Sequence, residues 1–172
     1  MDYQFGTILV FAIIAALFIS IIAYKGINKD KKARAKYDER QQALRGKSFT
    51  FGFYAMVAAS IAFMIMHLFG LGDFWGPFGY CTIMIIGVIV QMTYAIFNDA
   101  YLGLNTNARK YMIFMSIVSL VNIVAAVMGI ADGSMFEGGV LHESYTNLLC
   151  SILFAVLVID LGIKRLIDKK EK

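Results

Sequence analysis

Five long apolar runs, 5–24, 49–71, 77–97, 111–130 and 145–163, alternate with short polar segments along the chain. A helix needs roughly 20 residues, at about 1.5 Å rise each, to cross a hydrocarbon core of about 30 Å. Each run is of that order, and no water inside a bilayer would satisfy its backbone groups, so each is expected to be an α-helix. The pattern predicts an all-α membrane protein: a single transmembrane domain over 1–172, folded as a five-transmembrane-helix bundle. Four spans, with the first run lying in or partly outside the bilayer, is the competing layout.

Composition agrees with that class. Of 172 residues 59% are hydrophobic and 16% charged, against about 45–50% and 25% in an ordinary soluble domain. Charge then orients the bundle. The segments 25–48, 98–110 and 164–172 hold all sixteen Lys and Arg residues, whereas 1–4, 72–76 and 131–144 hold only acids: Asp2, Asp73, Asp132, Glu137 and Glu143. Because basic segments resist translocation, the expected topology is N-terminus outside and C-terminus cytoplasmic. Residues 1–5 lack the basic n-region of a secretory signal, so the first run reads as a retained helix. The net charge of +4 is segregated by this topology, which argues for anionic lipid headgroups rather than nucleic acid as its partner.

The densest charge lies in 25–47, with Lys25, Lys29, Lys31, Lys32, Arg34, Lys36, Arg40, Arg45 and Lys47 against Asp30, Asp38 and Glu39. This connector is expected to be part helix, a cytoplasmic basic amphipathic helix between spans 1 and 2. Asn28 or Asp30 would cap it, and Arg34–Asp38 pairs at helical spacing. Ala33, Tyr37 and Leu44 would make a thin apolar stripe, and Gly46 would let the chain turn into the second span. Two roles stand open for it: a solvated topological determinant, or a docking surface for a protein or for anionic lipid.

Small-residue ridges (Ala12, Ala16 and Ser20; Ala55 with Ala59; Ala58 with Ala62; Ala125 with Gly129) suit close helix packing, within one chain or across a homo-oligomer seam. Polar residues inside spans are the next candidates. Gln91 and Asn122 lie at middle to inner depth, as interhelical hydrogen-bonding groups or as the lining of a small polar cavity. Asp99 and Asp160 sit at the inner span ends, within reach of Arg109, Lys110, Lys164 and Arg165. No carboxylate lies at the centre of a span and no broken helices are evident, which argues against an ion-coupled pump. His67, Cys81 and Cys150 should share one layer near the outer surface, as a soft-metal trio, as a Cys81–Cys150 disulfide, or as packing. No ligand spacing, phosphate loop or nucleophile motif accompanies them, so no metal, no cofactor and no catalytic residue is expected.

Tyr37-Asp-Glu-Arg-Gln41 with Arg45-Gly-Lys47, and Asn98-Asp-Ala-Tyr-Leu-Gly-Leu-Asn105 after the third span, resemble paired signatures of an uncharacterised family of small multi-pass bacterial membrane proteins. The resemblance implies the span layout but no activity. Both signatures would face the cytoplasm, where Asp38, Glu39, Arg40, Gln41, Arg45 and Lys47 on one segment meet Asn98, Asp99, Asn105 and Arg109 on the other. Such a network would clamp the connector to the bundle, or form a docking or ligand site. The expectation is a non-enzymatic accessory or regulatory subunit that binds a partner through this face. A homo-oligomeric channel or small-solute transporter is the alternative.

Overall fold

A computed structural model of the chain describes residues 19–170, and the described chain is mainly helical. Residues 19–27 are helical (α1); the rest of the first apolar run, and with it the Ala12–Ala16 part of its small-residue ridge, lies outside the described residues. There follow α2 (Glu39–Leu68), a short 3-10 helix (Asp73–Phe78), α3 (Gly79–Phe97), α4 (Ala108–Ala131), a two-stranded hairpin (Phe136–Glu137 with Val140–Leu141) and α5 (Tyr145–Lys170). The helices α2 to α5 are long and apolar enough to cross a membrane.

The helix ends follow from local chemistry. Asp38 caps α2: its carboxylate accepts the Gln41 N–H at 2.6 Å, and the Gln41 side chain reaches back to the Asp38 N–H at 3.4 Å. Glu39 adds a negative charge to the first turn, where the helix dipole favours it. At the other end Gly70, at φ +71, lets its N–H bond His67 O while Leu71 N–H bonds Met66 O. This left-handed stop satisfies the last carbonyls and is cheapest at glycine. The end of α3 uses the same device without glycine. Asp99 sits at φ +58, Asp99 N–H bonds Ile96 O and Ala100 N–H bonds Ala95 O. Aspartate is among the few residues that tolerate this region.

The expected connector helix is not there. Residues 28–38 form an irregular loop, and Ala33 is exposed rather than part of an apolar stripe. Neither Asn28 nor Asp30 caps a helix, because both side chains are committed to contacts described below. Helix begins only at the Asp38 capping box and then runs unbroken through Gly46, which makes no turn. At about 1.5 Å per residue the 30 residues of α2 reach about 45 Å, so a polar first quarter extends past the apolar part.

The four long helices pack in a row: α2 on α3, α3 on α5, α5 on α4. Hydrogen bonds tie neighbours together, Thr93 Oγ1 to Asp160 Oδ2 at 2.6 Å and Thr82 to Tyr145 between α3 and α5, and Ser119 Oγ to Ser151 O between α5 and α4. The α2–α3 crossing is made by glycine rather than by the alanine ridges. A Cβ on Gly52 would stand 2.8 Å from both Gln91 Cβ and Gly87 O. Ala55 and Ala59 are half-buried beside it, while Ala58 and Ala62 are exposed. On α4, Gly129 is buried against Ser144 of the hairpin segment.

Two small apolar cores lie at opposite ends of the helices. One gathers Ile27 of α1 with Met92, Ile96, Tyr111, Leu157 and Leu161. The other packs Met135 and Leu141 of the hairpin segment against Ala126, Tyr145 and Leu149. The hairpin turns through Gly138 and Gly139, both at positive φ, as a two-residue loop requires. Between the cores the outer faces are apolar and open; the apolar stretch of α2 is only 6% buried within the protein. Such faces are stable against lipid, not water.

Candidate functional site

At the basic end of the row, loop 28–38 lies against loop 98–107, and the two are stitched by amides rather than by ion pairs. Asn105 is the centre. Its Oδ1 accepts the Lys36 N–H at 2.9 Å, and its Nδ2 donates to Asp30 Oδ1 at 3.0 Å and to Arg34 O at 3.1 Å. Its backbone carbonyl accepts the Lys29 N–H at 2.7 Å. Asn28 and Thr106 face each other as an isolated bridge, with Thr106 Oγ1 donating to Asn28 Oδ1 and Asn28 Nδ2 to Lys32 O. Gln41, buried on the first turn of α2, donates to Asp99 O at 2.7 Å and Leu102 O at 3.3 Å. Gly103 permits the approach: a Cβ there would meet Ala35 Cβ and Lys36 O at 2.9 Å.

Beneath the loops lies a cavity of about 150 Å³ lined by Tyr24, Tyr37, Tyr101, Tyr111, Gln91 and Arg45, among others. The Tyr101 and Tyr111 hydroxyls share a hydrogen bond at 2.9 Å, and Tyr37 OH donates to Tyr101 O at 3.3 Å. Burial pushes the Tyr101 hydroxyl up to about 12. Burial likewise raises Tyr37 above the ordinary phenol, against the opposing charge of Arg45. The Arg45 guanidinium lies 4.2 Å from the centre of the Tyr37 ring, a cation–π contact. Asp30 is held below the usual carboxylate range, chiefly by the Asn105 amide and further by Lys32 N–H and Lys36.

Three open clefts flank these loops. The largest, about 880 Å³, is lined by Lys32, Arg34, Ala35, Lys36, Tyr37, Gln42 and Arg45. A second, about 580 Å³, mixes signs and includes Lys29, Asp99, Arg109, Lys164, Arg165 and Asp168, and a third of similar volume lies along Lys25, Lys29, Lys31 and Lys110. In the second, Lys164 pairs with Asp99 at 3.1 Å and Asp168 at 2.8 Å.

The two sequence signatures are therefore brought together, but the division of labour differs from the expected ionic network. Asp38, Gln41 and Asn105 build the clasp. Asn98 turns inward on its own helix, donating to Tyr94 O. Glu39, Arg40, Lys47 and Arg109 are exposed around it, and Arg45 is half-buried. Asp160 is bonded by Thr93, not by a basic residue, among the described residues. The contributions of Asn28, Thr106, Gly103 and the tyrosines escaped the sequence reading. Asn28 reads there as a helix cap and Gly103 only as part of a signature, because their partners lie about seventy positions away.

The remaining candidates separate. Gln91 faces the tyrosine cavity, whereas Asn122 donates to Val118 O one turn back on α4, so they do not line a common cavity. His67 contacts Phe63 edge-on and stands 3.9 Å from Asp73. Cys81 and Cys150 are free, half-buried thiols, Cys81 within the hairpin-end core. Among the described residues no group of three His, Cys, Asp or Glu side chains is arranged to hold a metal ion. Comparison with protein-family models, with curated proteins and with solved structures finds no match to this chain.

Proposed function

We propose that this chain is a five-span bacterial plasma-membrane protein without catalytic activity, N-terminus outside, whose basic cytoplasmic end docks a protein partner as an accessory or regulatory subunit. The observation that carries the reading is the clasp between loops 28–38 and 98–107. A connector that served only to keep positive charge on one side of the bilayer would need no fixed shape, since any solvated basic loop does that. Here the backbone of the connector is held through Lys29, Lys32, Arg34 and Lys36, by contacts that include partners across the bundle. Ordering a loop costs about 1–2 kcal/mol per residue in backbone entropy, which suits a loop whose surface is used. The resemblance carried by Tyr37–Gln41 and Asn98–Asn105 falls on this clasp, and Arg40 and Arg109 stand exposed beside it.

The test is affinity capture of the tagged full chain from native membranes, comparing wild type with Arg40→Ala and Arg109→Ala. Both side chains are exposed, so neither substitution disturbs the fold. A protein that co-purifies with wild type should be depleted severalfold from both variants. Identical co-purifying proteins in all three preparations would end the docking reading. The sidedness has its own check: a cysteine at Lys32 should react with an impermeant thiol reagent only after the membrane is opened.

A further inference from the structure

The cleft of about 880 Å³ beside the connector has a composition the docking reading does not use. Its lining carries four cations, Lys32, Arg34, Lys36 and Arg45, and no carboxylate. Among the described residues only Lys36 of these four has an acidic partner, Asp30 at 3.2 Å. Like charges crowded on one wall repel unless an anion sits among them. The wall is also preorganised. Asn105 holds the backbone at Arg34 and Lys36, Asn28 holds it at Lys32, and Lys31 is kept at φ +55, a conformation a lysine adopts only where its surroundings impose it. Rigid donors lose little freedom when a ligand arrives.

Position narrows the ligand. Arg45 lies one helical turn before Phe49, where the exposed apolar face of α2 begins. The cleft therefore opens at the level where lipid headgroups meet water. Arg45 also borders the tyrosine cavity, fixed over the Tyr37 ring, so its planar fork is presented in one orientation. A guanidinium held this way matches two oxygens of a phosphate, with the lysines adding charge around it. Gln42 donates its amide to Tyr37 O at 3.3 Å and keeps its carbonyl oxygen for a hydroxyl of a headgroup.

We infer that the cleft of Lys32, Arg34, Lys36 and Arg45 is a specific binding site for the phosphate headgroup of an anionic phospholipid. The headgroup phosphate lies against Arg45, and the acyl chains run down the open apolar face of α2. The inference concerns a wall distinct from Arg40 and Arg109 and needs no protein partner.

Native mass spectrometry of the purified full chain, titrated with phosphatidylglycerol or phosphatidylcholine, tests it. Wild type should retain phosphatidylglycerol selectively. Arg45→Gln should weaken that binding about fivefold, and Lys32→Gln with Arg34→Gln further, following the worth of one cation near a membrane surface. Arg40→Gln removes the same charge outside the cleft and should leave binding unchanged; an equal loss there would reduce the site to general attraction and overturn it. Arg45→Lys keeps the charge but not the fork, so it controls for folding and should bind less well than wild type. Soluble glycerol phosphate separates the sources. It should compete only weakly, and full competition at comparable concentration would overturn the assignment to lipid.

Discussion

Asn105 shows how much of the basic end depends on one side chain. A primary amide offers one carbonyl and two N–H donors, and here they take Lys36 N–H, Asp30 Oδ1 and Arg34 O, while the residue itself is buried. Asn105→Ala deletes all three bonds and leaves the Lys36 N–H without its acceptor. At about 1 kcal/mol per net bond, the loss should be about 3 kcal/mol. Thermal unfolding of the detergent-solubilised chain would report it as a lowered midpoint, with Arg109→Ala as the unchanged reference. An Asn105→Ala midpoint equal to that of Arg109→Ala would mean that the loops do not depend on this clasp. The sequence placed Asn105 among the candidate residues but as part of a charged network. Nothing local to the residue distinguishes an asparagine facing solvent from one bonded to a segment 69 positions earlier.

At the scale of elements, the revealing case is the start of α2. Basic residues at helical spacing made a separate connector helix plausible, and Gly46 a plausible turn. Spacing, however, only permits a helix; it does not start one. Among the described residues the N-terminal cap is Asp38 with Gln41, and from there the helix runs on through Gly46. A Cβ at Gly46 would meet nothing within 4 Å, and its φ is not positive. Gly46→Ala should therefore stabilise the chain by about 0.5–1 kcal/mol, by lowering the backbone entropy of the unfolded state. Chemical denaturation of the two forms checks the sign. Destabilisation by alanine would point to a turn there after all. The ends of α2 and α3 carry the opposite lesson. Glycine is a turn former by type, so a stop at Gly70 is legible in the sequence, whereas the left-handed Asp99 is not, because aspartate carries no such signal on its own.

For the whole molecule, the order α2, α3, α5, α4 is the feature from which the rest follows. Among the described helices it leaves α2 with one close partner, at the Gly52–Gly87 crossing, where backbone meets backbone. Gly52→Leu has no room against Gln91 Cβ and Gly87 O and should cost about 1–3 kcal/mol through overpacking. Ala58→Leu, on the exposed side of the same helix, should cost little. A comparison of their unfolding midpoints tells whether the row is held by this crossing or by the alanine ridge. The same order explains why Gln91 and Asn122 end in different surroundings: they stand on helices that are not neighbours in the row.

The chain by itself determined which stretches avoid water and which end of the bundle is basic, because hydropathy and charge are properties of each segment wherever it lies. Only the tertiary structure decided which helices touch, that the connector is a fixed loop, and that four cations share one wall. Those outcomes depend on partners distant along the chain, and the energy of a hydrogen bond or a steric contact exists only once both partners are in place.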